Sequence, residues 1–275
     1  MQLKSIVKNI SKEKRISAQL VLQNYMLERL LERISLSNYR NNFILKGGFL
    51  IASLVGLDTR ATMDMDVTVK GEPLTEVNLK SIFDEIIEIQ VDDDITFEFK
   101  SISDIREGDD YNGYRLHLSG NFPPMSVPLK LDVTTGDKMT PEEIQYDYKT
   151  MMDSKIISVL AYNLETILAE KLETILSRGD QTTRPRDYYD VYILWKLQYA
   201  NINISHLSSA LKATANKRGV LEIMKDYQNT MAIVLNSDFM QEQWRKYQRS
   251  FDYAKNIDFE KTCASVVDVM NKLKL

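Results

Sequence analysis

Lys46 to Val69 reads Lys-Gly-Gly-Phe-Leu-Ile-Ala-Ser-Leu-Val-Gly-Leu-Asp-Thr-Arg-Ala-Thr-Met-Asp-Met-Asp-Val-Thr-Val, and this stretch constrains the fold more than any other. A glycine pair opens a short apolar run, and an Asp-x-Asp follows inside alternating, strand-like residues. Gly47 and Gly48 let backbone N–H groups approach a phosphate, and a helix starting there adds its positive end. Asp64 and Asp66, two apart on a strand, leave by the same face and can hold one divalent cation between them. Taken singly, a Gly-Gly is usually a turn and an Asp-x-Asp a solvated strand face. Met65 and Val67, alternating against the aspartates, favour the joint reading.

A third carboxylate has one candidate. Val127-Pro-Leu-Lys-Leu-Asp-Val-Thr-Thr is apolar and β-branched, ends at Gly136, and predicts a strand with Asp132 in its middle. Leu131 and Val133 then point into the core, leaving Lys130, Asp132 and Thr134 on the opposite face. An Asp buried there without a partner is costly, and a metal shared with Asp64 and Asp66 removes that cost. The alternative is an edge strand with Asp132 facing water.

The remaining pattern divides near residue 150. Arg15 to Ser35 carries Ile16, Leu20, Leu22, Met26, Leu30 and Ile34 at helical spacing, predicting an amphipathic helix. Residues 43–71 form the glycine turn, a helix and the Asp-x-Asp strand. A helix is expected over Glu76–Gln90, then strands over Ile95–Ile105 and Tyr111–Leu118. The polar turn Arg106-Glu-Gly-Asp-Asp separates these strands, and Val127–Thr134 closes the sheet. From Asn163 onward the period is helical almost throughout. We therefore expect an α+β chain: a mixed sheet flanked by helices over 1–150, then an all-helical domain over 151–275.

Composition narrows the class. A single cysteine, Cys263, excludes an intrachain disulfide framework and suits a reducing cytoplasm. No apolar run reaches the length of a membrane span, and no signal-peptide pattern opens the chain. Two histidines, His117 and His206, argue against a His-rich zinc site. Net charge is −6 over residues 1–150 and +2 over 151–275, too mild a basic excess to mark a nucleic-acid footprint by itself.

In the helical half, Lys171 and Arg178 are seven apart and share a face. They suit phosphate, as point charge and planar fork, or an ordinary surface helix with Glu170 and Glu173 as partners. Pro185 fits a first helical turn; Asp187 and Asp190 follow three apart, and Asp187 also suits the dipole of a helix N-terminus. Tyr188, Tyr189 and Tyr192 read as core.

Together these segments resemble the AbiEii/AbiGii toxin family of bacterial nucleotidyltransferases, within the polymerase-beta-like superfamily. The resemblance rests on Lys46-Gly47-Gly48, Arg60-Ala-Thr62-Met-Asp64-Met-Asp66, Lys130-Leu-Asp132, Lys171-Leu172 with Arg178, and Arg184-Pro-Arg186-Asp187-Tyr-Tyr-Asp190, in order over about residues 40–195. The gap from Phe49 to Met63 exceeds the general superfamily spacing and favours the toxin branch over aminoglycoside-modifying relatives. The resemblance implies a nucleotidyltransferase-like N-terminal domain and a helical domain contributing Lys171 and Asp187 to its cleft. It implies Mg²⁺ or Mn²⁺ on Asp64, Asp66 and Asp132, which are catalytic together with Lys171 and Asp187. It places Gly47, Gly48, Arg60, Thr62, Lys130, Arg178 and Asp190 at the nucleotide. It implies an NTP substrate (GTP is favoured in this branch), an RNA acceptor such as tRNA, and an antitoxin encoded nearby that often opposes the toxin without a stable complex. Two readings from other classes stand beside it: an NTP-binding regulatory module without transferase activity, and a noncatalytic helical adaptor.

Overall fold

The computed structural model describes residues 2–107 and 111–275. The chain divides into two units, Met1–Asp137 with Ile144–Ala161, and Lys138–Glu143 with Tyr162–Leu275. The first unit holds α1 (Gln2–Lys14), α2 (Ala18–Leu36), β1 (Phe43–Lys46), α3 (Gly47–Val55), β2 (Met65–Val69), α4 (Glu76–Ile87), β3 (Thr96–Glu107), β4 (Tyr111–Phe122), β5 (Met125–Thr135), β6 (Ile144–Lys149) and β7 (Ile156–Ala161). Residues 108–110 of the expected polar turn lie outside the described residues.

One mixed sheet of seven strands runs β3-β4-β5-β2-β1-β7-β6. β1 lies antiparallel to β2 and parallel to β7, and β2 lies parallel to β5. The strand holding Asp132 therefore does not close the sheet. It sits third from one edge, so the reading of an edge strand with Asp132 facing water is excluded. The sheet continues beyond residue 150, because β7 pairs with β1 and β6. β1 is only four residues of Phe-Ile-Leu-Lys, all but the last buried, so it shows no alternation to expose it.

Alternation sorts the two sheet faces. On β5, Val127, Leu129, Leu131 and Val133 are buried while Lys130 is exposed and Asp132 half-buried. α2 covers the apolar face: a Cβ added at Gly120 would meet Met26 Sδ of α2 at 3.2 Å and Leu129 Cδ1 at 3.4 Å. Ser17 caps α2 by accepting the Leu20 N–H at 3.1 Å, and Thr75 caps α4 by accepting that of Asn78. α2 is buried along almost its whole length, with Glu28, Arg29, Glu32 and Arg33 included, so it is not the simple amphipathic helix its spacing predicts.

The second unit is helical: α5 (Leu164–Arg178), α6 (Pro185–Gln198), α7 (Ile204–Lys217), α8 (Leu221–Lys225), α9 (Tyr227–Asn236), α10 (Asp238–Ser250) and α11 (Phe259–Lys272). Asn163 caps α5 by accepting the Thr166 N–H at 2.7 Å. Tyr188 and Tyr189 are core residues, as their spacing suggests, whereas Tyr192 is only half-buried. Tyr188 packs edge-on to Phe259, and Tyr189 lies 4.8 Å between centroids from Tyr253. Among the described residues no helix is long and apolar enough to cross a membrane.

Candidate active site

The glycine turn and the Asp-x-Asp strand are built against each other. Gly47 has φ +65°, a left-handed conformation that glycine adopts without steric cost. A Cβ there would fall onto the Asp66 carboxylate, within 2.6 Å of its Cγ. The Gly48 N–H donates to Asp66 Oδ2 at 3.3 Å, and Lys46 lies directly opposite Asp66 across β1 and β2. A Cβ at Gly48 would in turn meet Thr62 Oγ1 at 3.0 Å and Arg60 Nη2 at 3.2 Å. The long gap between the glycines and the first aspartate is thus α3 and a returning loop, which brings Arg60 and Thr62 back beside the turn. Thr62 Oγ1 donates to Asp64 Oδ1 at 3.1 Å.

On the polar face of the sheet two acidic residues lie side by side. Asp66 and Asp132 are directly opposed on parallel neighbours β2 and β5, and Asp64 precedes Asp66 by two residues. Lys46 Nζ donates to Thr134 Oγ1 at 2.6 Å and to Asp137 Oδ2 at 2.5 Å on the same side. Lys130 stands exposed two residues before Asp132, across from His117 of β4.

Asp132 is not held as the sequence implied. Arg115 lies opposite it on β4 and grips it side-on, Nε to Oδ1 at 2.7 Å and Nη2 to Oδ2 at 2.6 Å. That hydrogen bonding raises the Arg115 pKa against the opposing effect of burial; the charges of Asp132, Asp64 and Asp66 raise it further. A divalent cation suits the Asp64–Asp66 pair, whose ionised oxygens only accept and match a hard ion. It suits the three carboxylates less well as they stand, because the Arg115 guanidinium holds both Asp132 oxygens and neutralises their charge. Among the described residues no group of three or more His, Cys, Asp or Glu side chains is gathered at metal-holding spacing.

Arg115 was missed by sequence reasoning although a signal existed. β4 and β5 form a hairpin about Pro123 and Pro124, and equal steps outward from that turn bring Arg115 opposite Asp132.

The helical unit carries its own charged cluster. Lys171 of α5 donates to Asp187 Oδ1 at 2.5 Å and lies 3.3 Å from Asp190 Oδ2, both acids being buried on α6. Burial lowers the Lys171 pKa, but the Asp187 and Asp190 charges outweigh it and the net shift is upward. Lys171 does not pair with Glu170 or Glu173 in the surface-helix manner: Glu173 instead bonds Arg218, and Glu170 faces the Tyr162 hydroxyl. Arg178 is exposed at the end of α5.

The family described as nucleotidyl transferase AbiEii toxin, type IV TA system, matches residues 29–265. No curated protein matches the chain. A candidate nucleotidyltransferase from Helicobacter pylori superposes with a TM-score of 0.50 at 16% identity, over 93% of this chain and 95% of its own. JHP933 from the same organism gives 0.52 at 17% identity, over 93% and 91%. At these identities the likeness establishes the fold alone, a nucleotidyltransferase-like mixed sheet with helices.

Proposed function

The chain belongs to the AbiEii toxin family of nucleotidyl transferases from type IV toxin–antitoxin systems, and from that premise we propose that it moves a nucleotide from an NTP to an RNA. GTP is the first candidate donor and the 3′ end of tRNA the first candidate acceptor. The observation that carries the reading is Asp66 lying beside Asp132 on neighbouring strands, with Asp64 just ahead of β2 and the Gly47–Gly48 turn built against Asp66. An acceptor hydroxyl oxygen bonds to the α-phosphorus, the α–β bridge breaks, pyrophosphate leaves, and the hydroxyl proton passes to a carboxylate of the site.

Mg²⁺ or Mn²⁺ on Asp64 and Asp66, joined by Asp132, would supply neutralising charge for the triphosphate. The Gly47–Gly48 turn would bring the outer phosphates to the positive end of α3, with the Gly48 N–H already turned to Asp66. Arg60, Thr62, Lys130, Arg178 and Asp190 are assigned to nucleotide contacts, and Lys171 and Asp187 are required for transfer. The protein acts in the cytoplasm, and an antitoxin encoded nearby opposes it without needing a stable complex.

The test is label transfer from radiolabelled NTPs to total RNA with Mg²⁺. Transfer by the wild type that disappears in Asp64→Ala is expected; NTP binding without transfer returns the regulatory-module reading, and neither returns the adaptor. Sequencing RNA 3′ ends after brief induction identifies base and acceptor together. Expression is expected to slow bacterial growth, and Lys171→Ala or Asp187→Ala to relieve it. Because Lys171→Ala removes the cation that two buried carboxylates share, thermal melting must accompany that assay. Undiminished toxicity from the folded variants removes both residues from the reaction.

A further inference from the structure

The side-on grip between Arg115 and Asp132 has an uneven exposure. The Arg115 side chain is 36% exposed, whereas that of Asp132 is 13% exposed. Strand register fixes the pair, since the two residues face each other across β4 and β5. A ligand from solvent therefore meets the guanidinium before the carboxylate. Phosphate and carboxylate oxygens are interchangeable partners for an arginine fork, and a triphosphate brings more negative charge than Asp132 does. A partly exposed ion pair is also weak enough to exchange. Asp64 and Asp66 stand near enough to act on the same guanidinium, so the cation that occupies Asp132 also faces the acids beside it.

We propose that Arg115 is a positioning residue that keeps Asp132 off the divalent cation until a nucleoside triphosphate takes its guanidinium. Asp132 then joins Asp64 and Asp66 only when nucleotide is bound. The inference rests on the nucleotidyl-transfer reading and describes how the substrate itself completes that site.

Mn²⁺ affinity, followed by electron paramagnetic resonance on the full chain, tests it without turnover. The comparison uses Asp132→Asn with and without α,β-methylene-GTP, and again in an Arg115→Gln background. Without nucleotide, Asp132→Asn is expected to change wild-type Mn²⁺ affinity by less than about twofold; with the analogue it weakens binding about tenfold. In Arg115→Gln the same tenfold loss, as an order of magnitude, appears with no nucleotide present. Asp64→Asn weakens binding in every setting. A purely electrostatic or structural role for Asp132 gives the same change throughout, and that result overturns the proposal, as does Mn²⁺ binding in none of the settings. Should Arg115→Gln fail to fold, Arg115→Lys replaces it, and the two nucleotide arms leave Arg115 untouched. Transfer of label with a uniform Asp132→Asn effect defeats the arginine clamp alone. Absent transfer beside the expected metal pattern defeats the transferase reading alone.

Discussion

Beneath α2 the sheet's apolar face buries charged side chains of the helix itself, whereas the opposite face keeps Asp66 and Asp132 side by side, the second gripped by Arg115. Arg33 holds Asp93 through both oxygens at 2.8 and 3.0 Å and also donates to the Ile95 carbonyl at 2.7 Å. Its guanidinium lies 4.8 Å from the centre of the Phe97 ring. Glu32 is bonded by Lys155 and lies 3.1 Å from Arg29. Glu28 accepts from the Tyr148 hydroxyl at 3.1 Å and the Met151 N–H at 3.0 Å. The first face spends its charges on fixing α2 to the strands. The second sets its acids among Lys46, Lys130 and Arg115 where solvent reaches them, an arrangement suited to a metal-bearing anionic substrate.

The contrast can be broken most sharply by stability. Arg33→Ala leaves Asp93 buried without its fork and is expected to cost roughly 3–5 kcal/mol in chemical denaturation. Asp132→Asn on the open face should cost no more than about 1 kcal/mol, since its partner is partly solvated. Equal losses would show that both pairs are structural. Asp64→Ala reverses the pattern. Transfer should fall about 100-fold or more, while the melting temperature holds or rises as like charges thin out. A variant that loses activity only by unfolding would remove Asp64 from the chemistry.

A smaller effect is expected from Glu28. Burial raises its pKa from 4.5 to about 7, against hydrogen bonds from Met151 and Tyr148 that lower it. The folded chain therefore keeps the proton over a range where the unfolded chain has lost it. The stability linked to this group is present below pH 4.5 and drains as pH rises through about 7. Glu28→Gln should flatten that slope and gain on the order of 2 kcal/mol relative to wild type at pH 8. Denaturation midpoints from pH 4 to 8 read it directly, and an unchanged slope would place the titration elsewhere.

Legibility followed the range of the interactions. α3, β2 and β5 were readable because their patterns are local: a glycine pair, alternation about Asp64 and Asp66, and β-branched residues around Asp132. β7 was hidden because Ile156–Ala161 is a short apolar run that periodicity cannot tell from the start of the helical half, although Asp153-Ser154 precede it. β6 alternates Ile144, Tyr146 and Tyr148 with polar residues, yet it joins the sheet only through β7. Lys171 was flagged by spacing, but its contact with Asp187 was legible only through the family resemblance, because the two lie on different helices and nearer acids offered a competing answer. The grip of Arg115 on Asp132 depends on hairpin register, which no single-strand pattern contains.

Gly47 carries one more consequence. The volume its side chain would fill is already taken by the Asp66 carboxyl group, so the bend and the acid occupy interlocking space and neither can be altered by itself. Adding a single methyl group at this bend should push the acid aside while leaving the surrounding strands paired, disarming the protein from a position that bears no functional group of its own.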